Sequence, residues 1–351
     1  MGQEGTRIWN PPNPYLTESR ELLGEPEAVE LEVYEDHSQS ILSRNDSPDL
    51  SFRWSINPYR GCFHACAYCY ARPTHEYFGL GAGTDFERKI FVKRNAPALL
   101  EHTFRRKSWT GELVLFSGVT DCYQPMEAAW KLTRGCLEVC LEFRNPAAII
   151  TKSLLVRRDI DLLKRLTQET SVNVSISIPF LDEEVARAVE PGAPAIRRRF
   201  ETMALLAEAG IPVGIGVAPI IPGLNDREIP GLLRQAKRCG ARFAFRTLLR
   251  LPGSVREVFF HRIREKLPMR AGHIESLIRG VRKGRLYDSR FGFRHEGSGP
   301  YWQAIDQSWE LWTRRLKFNE DLPEHPSRFR RPLTPGNQLE IGWEGEPNLS
   351  A

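Results

Sequence analysis

Short apolar runs that alternate with longer amphipathic runs are the feature that most restricts the fold of this chain. Such alternation is typical of repeated strand–helix units, which build a parallel sheet covered by helices. Six strands are predicted, at Phe52 to Ile56, Glu112 to Phe116, Ala147 to Thr151, Val172 to Ile178, Val213 to Ala218 and Arg242 to Leu248. Because the crossovers between them are of comparable length, we predict an α/β fold with a barrel-like wall.

The fourth of these strands is apolar on one face and polar on the other. Val172, Val174, Ile176 and Ile178 alternate with Ser171, Asn173, Ser175 and Ser177. Successive side chains of a strand point to opposite faces, and a strand covered by helices on both sides is normally apolar throughout. We therefore expect the face with Ser175 and Ser177 to look into a ligand cavity, and an exposed edge strand is the alternative.

The chain divides by charge into an acidic beginning and a basic body. Residues 1–50 carry eleven Asp and Glu against three Lys and Arg, and the remainder carries 46 Lys and Arg against 33 Asp and Glu. We predict an acidic, irregular N-terminal extension over residues 1–50, a barrel over 51–253, a helical C-terminal extension packed on the barrel over 254–320, and an irregular tail over 321–351. A basic body attracts phosphates, but charge alone identifies no partner.

Composition is that of a folded globular protein, with 41% hydrophobic and 26% charged residues in 351. The longest apolar stretch, Ile211 to Ile221, contains Gly and Pro and is far shorter than a membrane span. Since no basic leader followed by an apolar run is seen either, we expect a cytoplasmic protein. The seven cysteines are an odd number, and three of them crowd together, so metal binding is favoured over a disulfide framework.

Cys62, Cys66 and Cys69 have the spacing C-x3-C-x2-C in a predicted loop after the first strand. Thiolates are soft ligands that suit iron–sulfur clusters or zinc. A closed zinc site needs a fourth ligand, for which His64 and His75 are available, but no second pair of ligands at zinc-like spacing follows. Three unpaired thiols favour a cubane with one iron left open, and an open metal position indicates catalysis.

The motif, with the aromatic Tyr68 just before its third cysteine, resembles that of the radical S-adenosyl-L-methionine (SAM) superfamily. The resemblance implies a partial (β/α)6 TIM-like barrel and a [4Fe-4S] cluster whose open iron chelates SAM. It further implies an electron donor such as flavodoxin or ferredoxin, and cleavage of SAM to a 5′-deoxyadenosyl radical. Tyr68 occupies the aromatic position expected beside the adenine.

Further segments resemble the spore photoproduct lyase branch of that superfamily: Cys66 to Tyr70, Ile150 to Lys152, Glu190 to Gly192 and Val217 to Ile220. By this resemblance Lys152 and Thr120 stand where a lysine and a serine of the lyase contact the cofactor. Lys152 is suited to neutralise the cofactor carboxylate. We add Ser175 and Ser177 as candidate cofactor contacts.

The chain departs from the lyase at the cysteine that returns a hydrogen atom to the product, because Ser117 to Asp121 contains no thiol. Cys122, in the loop that follows, is the best substitute donor, and Tyr70 matches a lyase tyrosine linked to radical relay. The remaining cysteines are interpreted as core residues: Cys136, Cys140 and Cys239.

Arg246 and Arg250 near the sixth strand are candidates to hold an anionic substrate, whereas the run Arg197 to Arg199 is interpreted as a solvated helix face. The leading hypothesis is a radical enzyme that abstracts hydrogen from a nucleic-acid or other large anionic substrate. Modification of a peptide, protein or small metabolite is the first alternative. The second is a nucleic-acid-binding module that zinc or a cluster stabilises and that has no turnover.

Overall fold

A computed structural model describes residues 5–6, 28–320 and 327–332. Its strands are β1 (Gly5–Thr6), β2 (Ala28–Val29), β3 (Glu32–Glu35), β4 (Leu42–Arg44), β5 (Trp54–Ile56), β6 (Tyr59–Arg60), β7 (Lys89–Val92), β8 (Val114–Phe116), β9 (Ala147–Thr151), β10 (Val172–Ser177), β11 (Val213–Ile220) and β12 (Phe243–Leu248). Its α-helices are α1 (Thr84–Arg88), α2 (Ala96–Arg105), α3 (Glu127–Trp130), α4 (Leu132–Glu142), α5 (Ile160–Glu169), α6 (Glu183–Val189), α7 (Ile196–Glu208), α8 (Ile229–Arg238), α9 (Val255–Lys266), α10 (Pro268–Val281) and α11 (Gly299–Arg315). Half of the predicted acidic extension and most of the predicted tail lie outside the described residues.

The main sheet confirms the predicted α/β fold. Its parallel strands follow chain order, β5-β8-β9-β10-β11-β12, and β4 adds an antiparallel strand beside β5. Helices follow the successive strands, which is the arrangement of a partial (β/α)6 barrel. The six predicted strands are all present, with ends that differ by up to two residues.

The pattern of apolar side chains explains how the main sheet and its helices pack together. Ile149, Val174 and Ile215 on neighbouring strands are fully buried. Helix α8 buries Ile229, Leu232, Leu233 and Ala236, which are three or four positions apart, so that one apolar face packs on the sheet. The apolar periods of two and 3.6 residues thus place the core between the strands and their covering helices.

Glycines on β11 make room inside the barrel for rings from β12. A Cβ added to Gly214 would lie 2.2 Å from the Phe243 ring, and one added to Gly216 would lie 2.7 Å from the Phe245 ring. Any larger residue would displace these rings, so the absence of side chains at both positions sets the shape of the interior.

Residues 28–50 differ from the irregular extension that the sequence predicts. Strand β3 pairs in parallel with β7, and β4 pairs with β5. All four residues of β3 are exposed, so this strand has no buried face that an apolar alternation in the sequence could reveal. The strands in this region are stabilised by backbone hydrogen bonds to neighbouring strands. Such pairing cannot be recognised from the pattern of side chains in one sequence.

Three helices, α9 to α11, follow β12 in the region predicted as a helical C-terminal extension. The helix α11 is followed by Asn319, whose side-chain amide pairs with the backbone of Ala244 on β12: its Oδ1 accepts from the Ala244 N–H at 3.1 Å, and its Nδ2 donates to the Ala244 carbonyl at 3.2 Å. The side chain thereby occupies part of the outer edge of the main sheet. No described helix is long and apolar enough to cross a membrane.

Candidate active site

A cavity of about 270 Å³ opens at the carboxyl ends of the parallel strands. The loop after β5 contributes Cys62, Cys66 and Cys69 to its wall, and the end of β9 contributes Lys152. The lining also includes residues from the loop after β8, from the ends of β10, β11 and β12, from the segment before β5 and from the loop after α10. This is the face on which barrels of this kind carry their active sites.

The loop that carries Cys62, Cys66 and Cys69 is called the cysteine loop below. Arg72, which is fully buried, holds this loop in place. Its guanidinium pairs with Glu87 at 2.6 Å and donates to the carbonyls of Cys66 at 2.9 Å and Ala82 at 2.8 Å. A further hydrogen bond reaches the carbonyl of Ala65 at 3.2 Å. Sequence reasoning did not identify Arg72, because an arginine a few residues after a motif carries no sign that it will be buried.

A second brace on the cysteine loop comes from the segment between α6 and α7. The Ala67 N–H donates to the Val189 carbonyl at 2.9 Å, and the Gly192 N–H donates to the His64 carbonyl at 3.1 Å. A Cβ on Gly192 would lie 2.1 Å from the Phe63 carbonyl oxygen. Only glycine permits this approach of two backbones, which gives Glu190 to Gly192 a physical role.

Glu190 is a buried carboxylate that connects the cysteine loop to the opposite wall. It accepts a hydrogen bond from the Tyr68 hydroxyl, pairs with Arg199 at 2.7 Å, and lies 3.8 Å from the Lys152 Nζ. Burial by itself raises the pKa of Glu190, but Arg199 and Lys152 more than offset it and hold this pKa below its usual value. Glu190 is therefore ionised at neutral pH.

The interpretation of Arg197 to Arg199 as a solvated helix face is wrong for Arg199. This residue is 1% exposed and faces Glu190, while the side chains of Arg197 and Arg198 remain exposed. Its guanidinium also donates to the Ser177 carbonyl at 3.2 Å. The buried charge of Glu190 is the physical reason, since an unpaired carboxylate in the interior would be costly.

Lys152 projects from the end of β9 into the cavity. Its Nζ lies 5.7 Å from the centre of the Tyr68 ring. Burial lowers the pKa of Lys152, but Cys66 and Glu190 outweigh that effect, so its pKa is raised overall and the side chain is cationic. The predicted cofactor residues Tyr68 and Lys152 are thus brought together in one wall.

Asp121 and His64 form a buried charged pair beside Cys62. The His64 Nδ1 lies 3.3 Å from Asp121, whose carboxylate also accepts from the Thr151 hydroxyl and the Lys152 N–H, each at 2.7 Å. Although burial opposes both shifts, the pair raises the pKa of His64 to about 9 and lowers that of Asp121 to about 2. His64, considered as a zinc ligand from the sequence, is therefore engaged with a carboxylate.

Thr120 and Ser177 line the cavity, and the Thr120 hydroxyl donates to the Gly61 carbonyl at 2.5 Å. Ser175 is buried in the wall two residues earlier on β10 and is not part of the lining. The polar face predicted for this strand thus reaches the cavity only at its carboxyl end.

The two predicted radical residues have different positions. Tyr70 lines the cavity, and its hydroxyl donates to the Gly118 carbonyl. Cys122 is fully buried in the core, outside the lining, with its N–H donating to the Ser117 hydroxyl at 3.1 Å. Burial raises the pKa of the Cys122 thiol well above its usual value. The hydrogen-donor role of Cys122 remains a prediction, and this position does not favour it.

The two arginines predicted to hold an anionic substrate also lie in different surroundings. Arg246 pairs with Glu296 at 3.1 Å and with Asp306, and its guanidinium lies 5.0 Å from the centre of the Trp302 ring. Arg250 lines the cavity, with its guanidinium 5.1 Å from the centre of the Tyr70 ring. Arg246 is thus ion-paired with residues of the C-terminal region, and Arg250 faces the cavity.

In the part of the chain that the structure describes, no group of three His, Cys, Asp or Glu side chains converges on the position of one metal ion. Cys62, Cys66 and Cys69 are free thiols spread around one end of the cavity. Soft donors in this arrangement fit a larger sulfur-rich centre better than a single tetrahedral ion.

A partial barrel with a thiol-lined cavity at its strand ends belongs to the class of α/β barrel enzymes. Residues 56–236 match the Radical SAM superfamily, and this chain is a member of that superfamily. Its cofactors are those of the family, a [4Fe-4S] cluster and S-adenosylmethionine.

Similar proteins include an uncharacterized protein of Mycobacterium tuberculosis, 39% identical over 212 residues, which are 60% of this chain and 62% of that protein. An uncharacterized protein of Methanocaldococcus jannaschii is 35% identical over 176 residues, 50% of this chain and 63% of that protein. A radical SAM Nalpha-GlyT isomerase of Pseudomonas phage M6 is 26% identical over 196 residues, 54% of this chain and 38% of that protein. The match to the mycobacterial and archaeal proteins spans about three fifths of their length.

Among solved structures, spore photoproduct lyase complexed with dinucleoside spore photoproduct has a TM-score of 0.58 and 16% identity, covering 81% of this chain and 78% of the lyase. A mutant of the lyase with bound AdoMet and dinucleoside spore photoproduct has a TM-score of 0.56 and 18% identity, covering 81% and 77%. At this identity the likeness concerns the fold.

Proposed function

We propose that this chain is a radical SAM enzyme that abstracts hydrogen from a nucleic-acid substrate in the cavity at the strand ends. Cys62, Cys66 and Cys69 would hold the cluster. The observation that carries the proposal is that these three thiols and Lys152 line one cavity. Thiolates bind iron–sulfur clusters, and an ammonium beside them suits an anionic ligand.

When bound, the cluster and S-adenosylmethionine supply a 5′-deoxyadenosyl radical after transfer of one electron from a donor such as flavodoxin or ferredoxin. Lys152 would neutralise the cofactor carboxylate, and Tyr68 would lie beside the adenine. Ser177 offers a hydroxyl at the cavity, and Thr120, whose hydroxyl donates to the Gly61 carbonyl, lines it as well. The protein's own task is to position these groups and exclude water from the radical.

Of the two radical-relay candidates, Tyr70 is supported by its position, because it lines the cavity while Cys122 does not. A nucleic-acid substrate is supported by the basic body of the chain and by Arg250 at the cavity. Spore photoproduct lyase, whose fold this chain resembles, binds a dinucleoside spore photoproduct.

Modification of a peptide, protein or metabolite is the second candidate, favoured by the apolar part of the lining. Leu50, Phe52, Leu115 and Ile150 are among these residues. They suit any substrate with an apolar portion, so binding experiments have to decide between the two classes.

Anaerobic reconstitution with iron and sulfide tests the proposal. We expect brown protein with about four iron atoms per chain by the composition of the cluster, an electron-spin signal that changes when S-adenosylmethionine is added, and 5′-deoxyadenosine after reduction. Colourless protein that contains zinc instead would select the non-catalytic binding module. Folded, iron-loaded protein that forms no 5′-deoxyadenosine would refute the proposed activity.

A further inference from the structure

Arg250 is a cation at the cavity that no carboxylate neutralises within the described part of the chain. Its Nη2 lies 3.4 Å from the Tyr287 hydroxyl, and its Nε is buried without a hydrogen-bond partner. Lys152, by contrast, has Glu190 at 3.8 Å. A guanidinium with unused donors facing a cavity is suited to an oxyanion, which it can bind through two parallel hydrogen bonds.

His295 lies in the same lining and also has unused polar atoms. Both of its ring nitrogens are buried and lack hydrogen-bond partners. Burial, together with Arg250 and Arg294, lowers the pKa of His295 to about 4, so the ring is neutral and offers one N–H donor. Its backbone carbonyl accepts from the Leu248 N–H at 2.9 Å, which fixes the residue beside the end of β12.

The loop that carries His295 also presents aromatic rings at the protein surface. Phe291 and Phe293 are each 55% exposed. The guanidinium of Arg294 lies 4.7 Å from the Phe291 ring centre, and that of Arg290 lies 4.7 Å from the Phe293 ring centre. Both arginines are ion-paired, Arg290 with Asp288 and Arg294 with Asp49, each at 2.7 Å, so the feature that points to a ligand is the exposed rings, on which proteins stack nucleobases.

This loop is held in place on both sides. Arg282 donates to the carbonyls of Phe293 and Arg294, each at 2.9 Å, and to that of Leu249 at 3.0 Å. On the other side Asp49 accepts from the Gly292 N–H at 2.6 Å and pairs with Arg294 at 2.7 Å. The two phenylalanines are therefore exposed on an anchored segment, and they need no ordering when a ligand binds.

We propose that Arg250 and His295 bind a substrate phosphate, and that Phe291 and Phe293 stack the neighbouring bases of a single-stranded nucleic acid. The proposal rests on the proposed function and names its substrate class. A cavity of about 270 Å³ favours a single strand, because a paired base has to leave the duplex before it can enter such a site.

The test is fluorescence anisotropy of a labelled single-stranded oligodeoxynucleotide with the anaerobically reconstituted protein, at salt concentrations of about 50 to 200 mM. We expect Arg250→Met to weaken binding about tenfold and to reduce the salt dependence by about one phosphate contact. Phe291→Ala with Phe293→Ala should weaken binding about thirtyfold or more, because two stacked bases are lost together. Arg250→Lys, which keeps the charge and loses the planar fork, should fall between wild type and Arg250→Met.

Matched controls remove a charge or an apolar side chain elsewhere on the surface. Arg197→Met and Met269→Ala change exposed residues that do not line the cavity, and we expect both to bind like wild type. Iron content and visible absorption report whether each variant is folded and loaded. Equal affinities for Arg250→Met and Arg197→Met would overturn the proposal, as would tighter binding of an acidic peptide or of the matching duplex.

Failure of this inference is distinguishable from failure of the proposed function. Formation of 5′-deoxyadenosine by the wild-type protein without a substrate reports on the radical chemistry. Oligonucleotide binding reports on Arg250, His295 and the two phenylalanines. A protein that cleaves the cofactor and does not bind the oligonucleotide contradicts only the substrate assignment.

Discussion

Tyr68 and Glu190 are 122 residues apart in the chain, and the Tyr68 hydroxyl donates a hydrogen bond to the Glu190 carboxylate. The contact joins the cysteine loop to the segment that leads into α7. Through the same carboxylate, Arg199 and Lys152 are held at 2.7 Å and 3.8 Å. One buried charge thus orients two of the proposed cofactor residues.

Glu190→Gln should destabilise the protein by about 3–5 kcal/mol, the usual effect of removing one partner from a buried ion pair. The reason is that Arg199 stays buried without its counter-charge. Denaturant unfolding of the apoprotein measures the change. The double variant Glu190→Met with Arg199→Met should recover part of the loss, because it removes both charges together. No recovery would show that the pair is not the source of the effect.

The stability of the apoprotein should depend on pH through Glu190. Its folded pKa is below the ordinary value of 4.5, so the unfolded chain binds more protons in the interval between the two values. Stabilisation from this group is complete above pH 4.5 and is lost as the pH falls through the folded pKa. Unfolding free energies measured across this interval should decline less in Glu190→Gln. Parallel curves for the two proteins would contradict the assignment.

Cys66→Ala should abolish stable cluster incorporation, because two thiolates cannot hold a cubane with an open corner. Iron content and visible absorption after anaerobic reconstitution measure the loss. Cys239→Ala is the matched control, since Cys239 lies outside the cavity lining and should keep wild-type iron content. A Cys66→Ala protein with full absorption would refute the proposed ligands.

Gly192→Ala should both destabilise the fold and reduce cluster incorporation. The new Cβ would lie 2.1 Å from the Phe63 carbonyl oxygen, and backbone has to move to relieve that clash. We expect a cost of about 1–3 kcal/mol by analogy with overpacked sites. Gly272→Ala is the control, since nothing lies within 4 Å of its added Cβ in α10 and alanine favours the helix. Unchanged iron content in Gly192→Ala would argue against a role of the Gly192 segment in holding the cysteine loop.

Arg72→Met should release the cysteine loop. The substitution removes the ion pair with Glu87 and the hydrogen bonds to the carbonyls of Cys66, Ala65 and Ala82. Leaving Glu87 unpaired should cost about 3–5 kcal/mol. Hydrogen exchange of the loop amides measures its loosening, and Arg105→Met, which breaks an exposed pair with Glu101, should leave exchange in the loop unchanged. Equal protection in both variants would count against Arg72 as the anchor.

The strands were predictable because short apolar runs alternate with longer amphipathic runs along the chain. Arg199 was not, since it sits in a run of three arginines and only the tertiary fold distinguishes the one that meets Glu190. For β3 the sequence has no apolar alternation to show, and for Arg72 burial depends on backbone carbonyls that come together only in the folded loop.

Of the candidate site, too, one part could be predicted from the sequence and another could not. The spacing of Cys62, Cys66 and Cys69 indicates a common centre without any structure, because thiol ligands have few alternative uses at that density. Cys122 is adjacent in sequence to the lining residue Asp121 and is still buried behind it. Proximity along the chain does not define which face of a loop a side chain takes.

A wall of six parallel strands that does not close leaves two rims of unsatisfied peptide groups, and such rims recruit strands from other molecules. Here β4 occupies one rim, and at the other the carboxamide of Asn319 imitates a peptide unit against Ala244. Asn319→Ala should therefore expose the peptide groups of Ala244 and promote oligomers that light scattering detects.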